Sequence, residues 1–124
     1  MYRSFRRPLA ALAALGWIAL AAGPAVAHAI IVEAIPAVNA VVHGDKLAVA
    51  LRFNSRIDHG RSRLALIDAA GKERTVPLDK ARPRDALAAT VENLTPGGYR
   101  LRWQVLALDG HITRGDIPFT VVQP

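Results

Sequence analysis

"YRLRWQVL", residues 99–106, places Tyr99, Leu101, Trp103 and Val105 on one side of an extended chain and Arg100, Arg102 and Gln104 on the other. Successive side chains of a strand point to opposite faces, so this alternation describes a strand with one dry and one wet face. The arginines are then the solvated side of a sheet. "KLAVALRF", residues 46–53, repeats the arrangement, with Leu47, Val49, Leu51 and Phe53 set against Ala48, Ala50 and Arg52. Further strands are predicted at Ile30–Ala34, Arg63–Asp68, Arg74–Leu78, Ala86–Glu92 and Asp116–Val122. Turn signals separate them: Pro36 with Asn39, His43-Gly44-Asp45, Asp58-His59-Gly60, Ala70-Gly71-Lys72 and Thr95-Pro96-Gly97-Gly98. About seven short strands at this spacing specify an all-β fold, a β-sandwich or Greek-key β-barrel. Leu47, Val49, Leu51, Phe53, Leu64, Leu66, Tyr99, Leu101, Trp103 and Phe119 are its expected core. Trp103 is the expected central plug, because an indole supplies more apolar area than any neighbour.

The amino-terminal stretch reads differently. Arg3, Arg6 and Arg7 precede an uncharged apolar run from Leu9 to Leu20, too short for a bilayer, which takes about 20 residues. Gly23-Pro24 ends the run and Ala25-Val26-Ala27 offers small residues for cleavage. This is the layout of a secretory signal peptide; an uncleaved anchor is the alternative. Residues 1–27 are expected to be removed and residues 28–124 to form one exported domain. Loss of the three arginines takes the formal charge from +6 to +3. The remaining arginines are dispersed, which makes no nucleic-acid footprint.

The sequence contains no cysteine, and its only methionine is Met1. Disulfides, thiolate metal sites and cysteine nucleophiles are therefore excluded. No Gly-x-Ser-x-Gly elbow and no phosphate-cradling glycine loop is present. Histidines and carboxylates remain, and they point to metal. Cleavage after Ala27 makes His28 the first residue, so its α-amine and ring Nδ1 can chelate one ion together. The ordinary pKa of an α-amine is about 7.7–8.0 and that of an imidazole about 6.5, so a strong Lewis acid displaces both protons near neutrality. Cu(II) heads the divalent affinity order and favours tetragonal nitrogen and oxygen surroundings. In "ALDGHITRG", residues 107–115, Asp109 and His111 flank Gly110 just after a strand. Residues two apart in extended chain project to the same side. They would complete a square of three nitrogens and one oxygen. His43 and His59 precede glycines and read as solvent-exposed turn residues.

These features together resemble the periplasmic copper-resistance CopC family. The resemblance rests on the Ala-His junction, "HAIIVEAIPAVNAVV" (residues 28–42), the strand ending in Phe53, and "LTPGGYRLRWQVLALDGHITRGDIPFTV" (residues 94–121). Its strongest motif is Pro-Gly-x-Tyr-x-(apolar)-x-Trp at Pro96–Trp103, followed by Asp-Gly-His. The resemblance implies a small Greek-key barrel of immunoglobulin-like appearance. It also implies one Cu(II) per chain, held by His28, Asp109 and His111. The protein is expected to be a monomer and no enzyme. By the same resemblance it sequesters copper or carries it, delivering it to an inner-membrane copper transporter. Asp109 is either a direct oxygen ligand or a group that orients a ring or a bound water.

Departures from the family pattern are specific. "IDAAGKERTVPLDK", residues 67–80, lacks the methionines with which some members hold Cu(I), and soft Cu(I) wants sulfur ligands. Ser55 stands where certain relatives carry an acid, Ile112 where proline is usual, and Asn39 where glycine is common. Two other readings compete: a copper-dependent oxidative enzyme with an amino-terminal histidine brace, and a metal-free exported immunoglobulin-like module.

Overall fold

The structure, a computed structural model, describes residues 29–123. The expected leader and His28 lie outside the described residues. Eight strands form: β1 (Ile31–Ile35), β2 (Ala40–His43), β3 (Leu47–Phe53), β4 (Ile57–Ile67), β5 (Glu73–Val76), β6 (Ala86–Val91), β7 (Gly97–Ala107) and β8 (Ile112–Val122). They make two sheets, β1-β3-β6 and β2-β8-β7-β4-β5. All neighbours are antiparallel except β2 and β8. The all-β expectation holds, with one strand more than the sequence suggested. Among the described residues no helix is long and apolar enough to cross a membrane.

Alternation builds the core as expected. In β3, Leu47, Val49, Leu51 and Phe53 are buried while the residues between them are exposed. β7 contributes Leu101, Trp103, Val105 and Ala107 from the facing sheet. The Trp103 ring meets Phe53 edge-on at 5.4 Å, joining the two sheets. In register with Trp103 lies Gly115 of β8. A Cβ there would stand 2.8 Å from Trp103 Cζ2, so the indole occupies space that only glycine leaves. Tyr99 is the one expected core residue that is half-buried. It stacks on Phe119 at 5.6 Å, and its hydroxyl accepts the Thr95 N–H at 3.0 Å.

Three departures have local causes. Asp58-His59-Gly60, expected as a turn, lies inside β4. β4 pairs with β7 at Ile57 and Asp58, and again from Arg63 onward, with a bulge between. The bulge absorbs the turn-forming residues without ending the strand. Ser62 completes it by donating to the Asp58 carbonyl at 2.6 Å and accepting the Leu106 N–H at 3.3 Å. His59 is therefore no exposed turn residue: its Nε2–H donates to the Ala86 carbonyl at 2.7 Å, linking β4 to β6 across the sheets. β2, absent from the sequence reading, is a four-residue edge lying parallel to Phe119–Val122. Asn39 turns into it at φ 63° and donates its N–H to the Pro118 carbonyl at 2.6 Å. β8 starts four residues earlier than expected, because its whole length pairs with β7.

The wet face of β7 carries an ion-pair network. Asp116 lies opposite Arg102 in register. It accepts from Arg102 Nε at 2.9 Å and Nη2 at 3.2 Å, and from Arg100 Nη1 at 3.0 Å. The hydrogen bond from Arg102 chiefly holds the Asp116 carboxyl below its ordinary 3.8, against the opposing effect of partial burial. A carboxylate whose folded-state pKa is lowered stabilises the fold above its unfolded value and loses that contribution as pH falls through the folded one. At this exposure the gain is roughly 0.5–1 kcal/mol. Asp116→Asn is thus expected to lower the thermal midpoint at neutral pH, with the gap to the native protein closing well below pH 3.8. A gap unchanged at strongly acid pH would count against the network as its source.

Candidate metal centre

β7 and β8 are joined by the loop Leu108-Asp109-Gly110. The Ala107 N–H donates to the His111 carbonyl at 2.9 Å, and the Gly110 N–H to the Ala107 carbonyl at 2.9 Å. Gly110 sits at φ +89°. This is a three-residue hairpin loop that needs a left-handed residue in third place, which glycine supplies without steric cost. The flanking positions bring Asp109 and His111 together. Asp109 Oδ1 accepts the His111 backbone N–H at 3.0 Å, and Oδ2 lies 3.3 Å from His111 Nδ1. A carboxylate only accepts, so the neutral ring in this contact carries its proton on Nδ1 and its lone pair on Nε2. Histidines that ligate metals are commonly oriented by a carboxylate in this way. The His111 side chain is 52% exposed and the Asp109 side chain 32%, so an ion from solvent can reach them.

A second element reaches the same end of the fold. The connection Asn54-Ser55-Arg56 runs from β3 to β4, and Ile57 lies opposite Ala107. Ser55 and Arg56 consequently flank Leu108 and Asp109, and with Ala107 they line a groove of about 240 Å³. On its other side this connection holds the start of the described chain. The Asn54 N–H donates to the Ile30 carbonyl at 2.9 Å, and the Ile30 N–H donates to Asn54 Oδ1 at 2.9 Å. Ala29 is fully buried. Asn54 therefore anchors the backbone two residues after His28. Sequence reading overlooked Asn54 and noted Ser55 only as a position where certain relatives carry an acid. The sequence signal of Asn54 is that of a turn-forming residue at the end of a strand.

Among the described residues no group of three or more histidines and carboxylates could hold a metal ion. Asp109 and His111 are brought together, while His28 lies outside the described residues. His43 is exposed at the end of β2, in register with Val122 and so at the far end of β8 from His111. His59 is committed to Ala86. Large apolar side chains of the hairpin stand at the surface: Leu108 and Ile112 are each more than half exposed, as is Ile30 at the start of the described chain.

Comparison with known proteins adds three findings. A family model described as the CopC domain matches residues 31–122. The protein YobA of Escherichia coli K12 is 29% identical over 98 residues, spanning 77% of this chain and 79% of the relative. "Copper transport protein CutJ" of Bacillus subtilis strain 168 is 26% identical over 98 residues, which are 77% of this chain and 18% of that larger protein. Among solved structures, CopC from Methylosinus trichosporium OB3b superposes with a TM-score of 0.69 at 29% identity, covering 77% of this chain and 95% of that one.

Proposed function

Because this chain belongs to the CopC family, whose members are copper proteins rather than enzymes, we propose that it is a periplasmic carrier of a single Cu(II) ion. Copper is its cargo. Residues 1–27 are removed on export, and the α-amine and Nδ1 of His28 then grip the ion together. His111 contributes Nε2 as a third nitrogen. Asp109 turns that ring toward the ion by holding Nδ1. The observation that carries the reading is the Asp109–His111 contact on a hairpin kept in shape by Gly110. Supporting it, the backbone two residues after His28 is pinned by Asn54, whose neighbour Ser55 lines the groove with Asp109.

The absence of methionine after Met1 supports Cu(II) over Cu(I), since thioether ligands are what Cu(I) selects. The similarity to a segment of the larger CutJ supports delivery to an inner-membrane copper transporter.

Electron paramagnetic resonance of the exported, processed protein with one equivalent of Cu(II) tests the centre. Three coupled nitrogens are expected; weak binding, or two nitrogens or fewer, overturns it. In the same assay Asp109→Asn is expected to lower affinity by about 10–100-fold, because the ring loses the partner that orients it, while the count of nitrogens stays the same. An unchanged affinity would remove Asp109 from the site.

A further inference from the structure

The β7–β8 hairpin ends in an apolar corner. Leu106 and Ile112 are paired across the two strands on the wet face, and Leu108 follows in the loop. Ile112 is 52% exposed and Leu108 67%. Among the described residues no strand flanks Ile112 on its outer side, because β2 borders β8 only from Phe119 to Val122. Single exposed apolar side chains are ordinary on a soluble protein, whereas neighbours gathered at one tip point to a binding surface.

The next row inward is cationic. Gln104 is paired with Arg63 on one side and Arg114 on the other. Cross-strand partners share a face, so both arginines stand one pleat, about 7 Å, behind Leu106 and Ile112. Both are exposed. Arg100 and Arg102, further along β7, are matched by Asp116. Among the described residues Arg63 and Arg114 have no carboxylate partner. Arg61 in the bulge of β4 and Arg56 beside Leu108 add two exposed cations at the same end. The carboxylates nearby are Asp58, opposite Leu106, and Asp109 in the loop. Four guanidinium groups against two carboxylates leave this end positive.

We propose that this corner docks the protein on an anionic lipid bilayer, with Leu108 and Ile112 entering the surface and Arg63 and Arg114 holding lipid phosphates. The order of the rows favours a bilayer as the occupant. Apolar groups of a peripheral protein sink about 5–10 Å into the boundary between headgroups and acyl chains. Cations one pleat behind them then lie at the level of the phosphates, which a guanidinium can grip through two N–H groups at once. The inference goes beyond the copper reading and needs no metal. It turns the hairpin of the candidate centre toward the membrane.

The test uses the processed, metal-free protein and sedimentation with vesicles. Vesicles of phosphatidylglycerol and phosphatidylethanolamine are compared with vesicles of phosphatidylcholine, at low and high salt. Binding is expected on the anionic vesicles, weakening as salt screens the charges. One basic side chain near such a surface strengthens binding about fivefold. Replacing both Arg63 and Arg114 by Gln is therefore expected to lower partitioning by about 10–30-fold. Leu108→Ser should lower it about fivefold or more. Val41→Ser is the control: Val41 is 58% exposed but lies opposite Thr120, toward the other end of β8, and its loss should change nothing. The chain has no cysteine, so Leu108→Cys and Val41→Cys can each carry an environment-sensitive fluorophore. The probe at position 108 is expected to shift to the blue on anionic vesicles and the probe at position 41 to stay unchanged. No preference for anionic over phosphatidylcholine vesicles overturns the proposal and leaves the corner to a protein partner. Partitioning that survives the double arginine replacement overturns the role of the cations. Salt-sensitive binding without a shift at position 108 overturns insertion of the apolar corner.

Discussion

Acetylating the α-amine of His28 in the processed protein is expected to lower its affinity for Cu(II) by about 100-fold or more. An amine donates a lone pair to the ion, whereas an acetylated nitrogen does not. The His28 ring would then have to bind alone, without the second donor tethered beside it. Two donors on one short tether act at a high effective concentration, and severing such a link commonly costs about two to four orders of magnitude. The measurement is a competition titration against a chelator of known Cu(II) affinity, with paramagnetic resonance showing the nitrogen count fall from three. The thermal midpoint of the metal-free protein is the control, and it should be unaffected. Acetylated protein that binds as tightly as the native form would mean that copper is held without the amino terminus.

The second large effect concerns stability. Gly115→Ala is expected to destabilise the fold by about 1–3 kcal/mol, the usual cost of forcing extra volume into a packed interior. The sign is informative. Glycine in a strand is ordinarily less favourable than alanine by roughly 0.5–1 kcal/mol, so with open space above it the substitution would stabilise. Here the added Cβ meets Trp103 Cζ2 at 2.8 Å and Cε2 at 3.0 Å. Trp103 cannot easily yield, because it is 8% exposed and its other side packs edge-on against Phe53. Gly98→Ala is the control, since a Cβ there meets nothing within 4 Å. Combining Gly115→Ala with Trp103→Phe removes the outer ring of the indole, and the cost of the alanine should then shrink by more than 1 kcal/mol. Thermal or denaturant unfolding of the four proteins closes the cycle. Additive losses would show that the indole is not what excludes the side chain.

Both expectations depend on features of unequal visibility in the sequence. The Trp103 strand is unmistakable from its alternation, but the pairing that sets Trp103 over Gly115 belongs to the register of β7 and β8. The bulge in β4 could not be seen, because Asp58-His59-Gly60 carries the residues of a turn and only pairing with β7 on both sides keeps it extended. β2 was missed for a related reason. Ala40–His43 is too short to show a period, and its hydrogen bonds come from β8. His59 looked like a loop residue until the facing β6 supplied the Ala86 carbonyl.

The candidate centre divides along the same line. From the amino-acid sequence alone came the all-β class, most of the core, and the convergence of Asp109 and His111 around Gly110. Each follows from spacing within a few residues of chain. The tertiary structure decided that Asp109 points at the His111 ring. It also set Asn54 against Ile30 and Ser55 against the groove. The Asn54 and Ser55 contacts join segments 24 residues or more apart, through strand pairing and hydrogen bonds that no local pattern encodes.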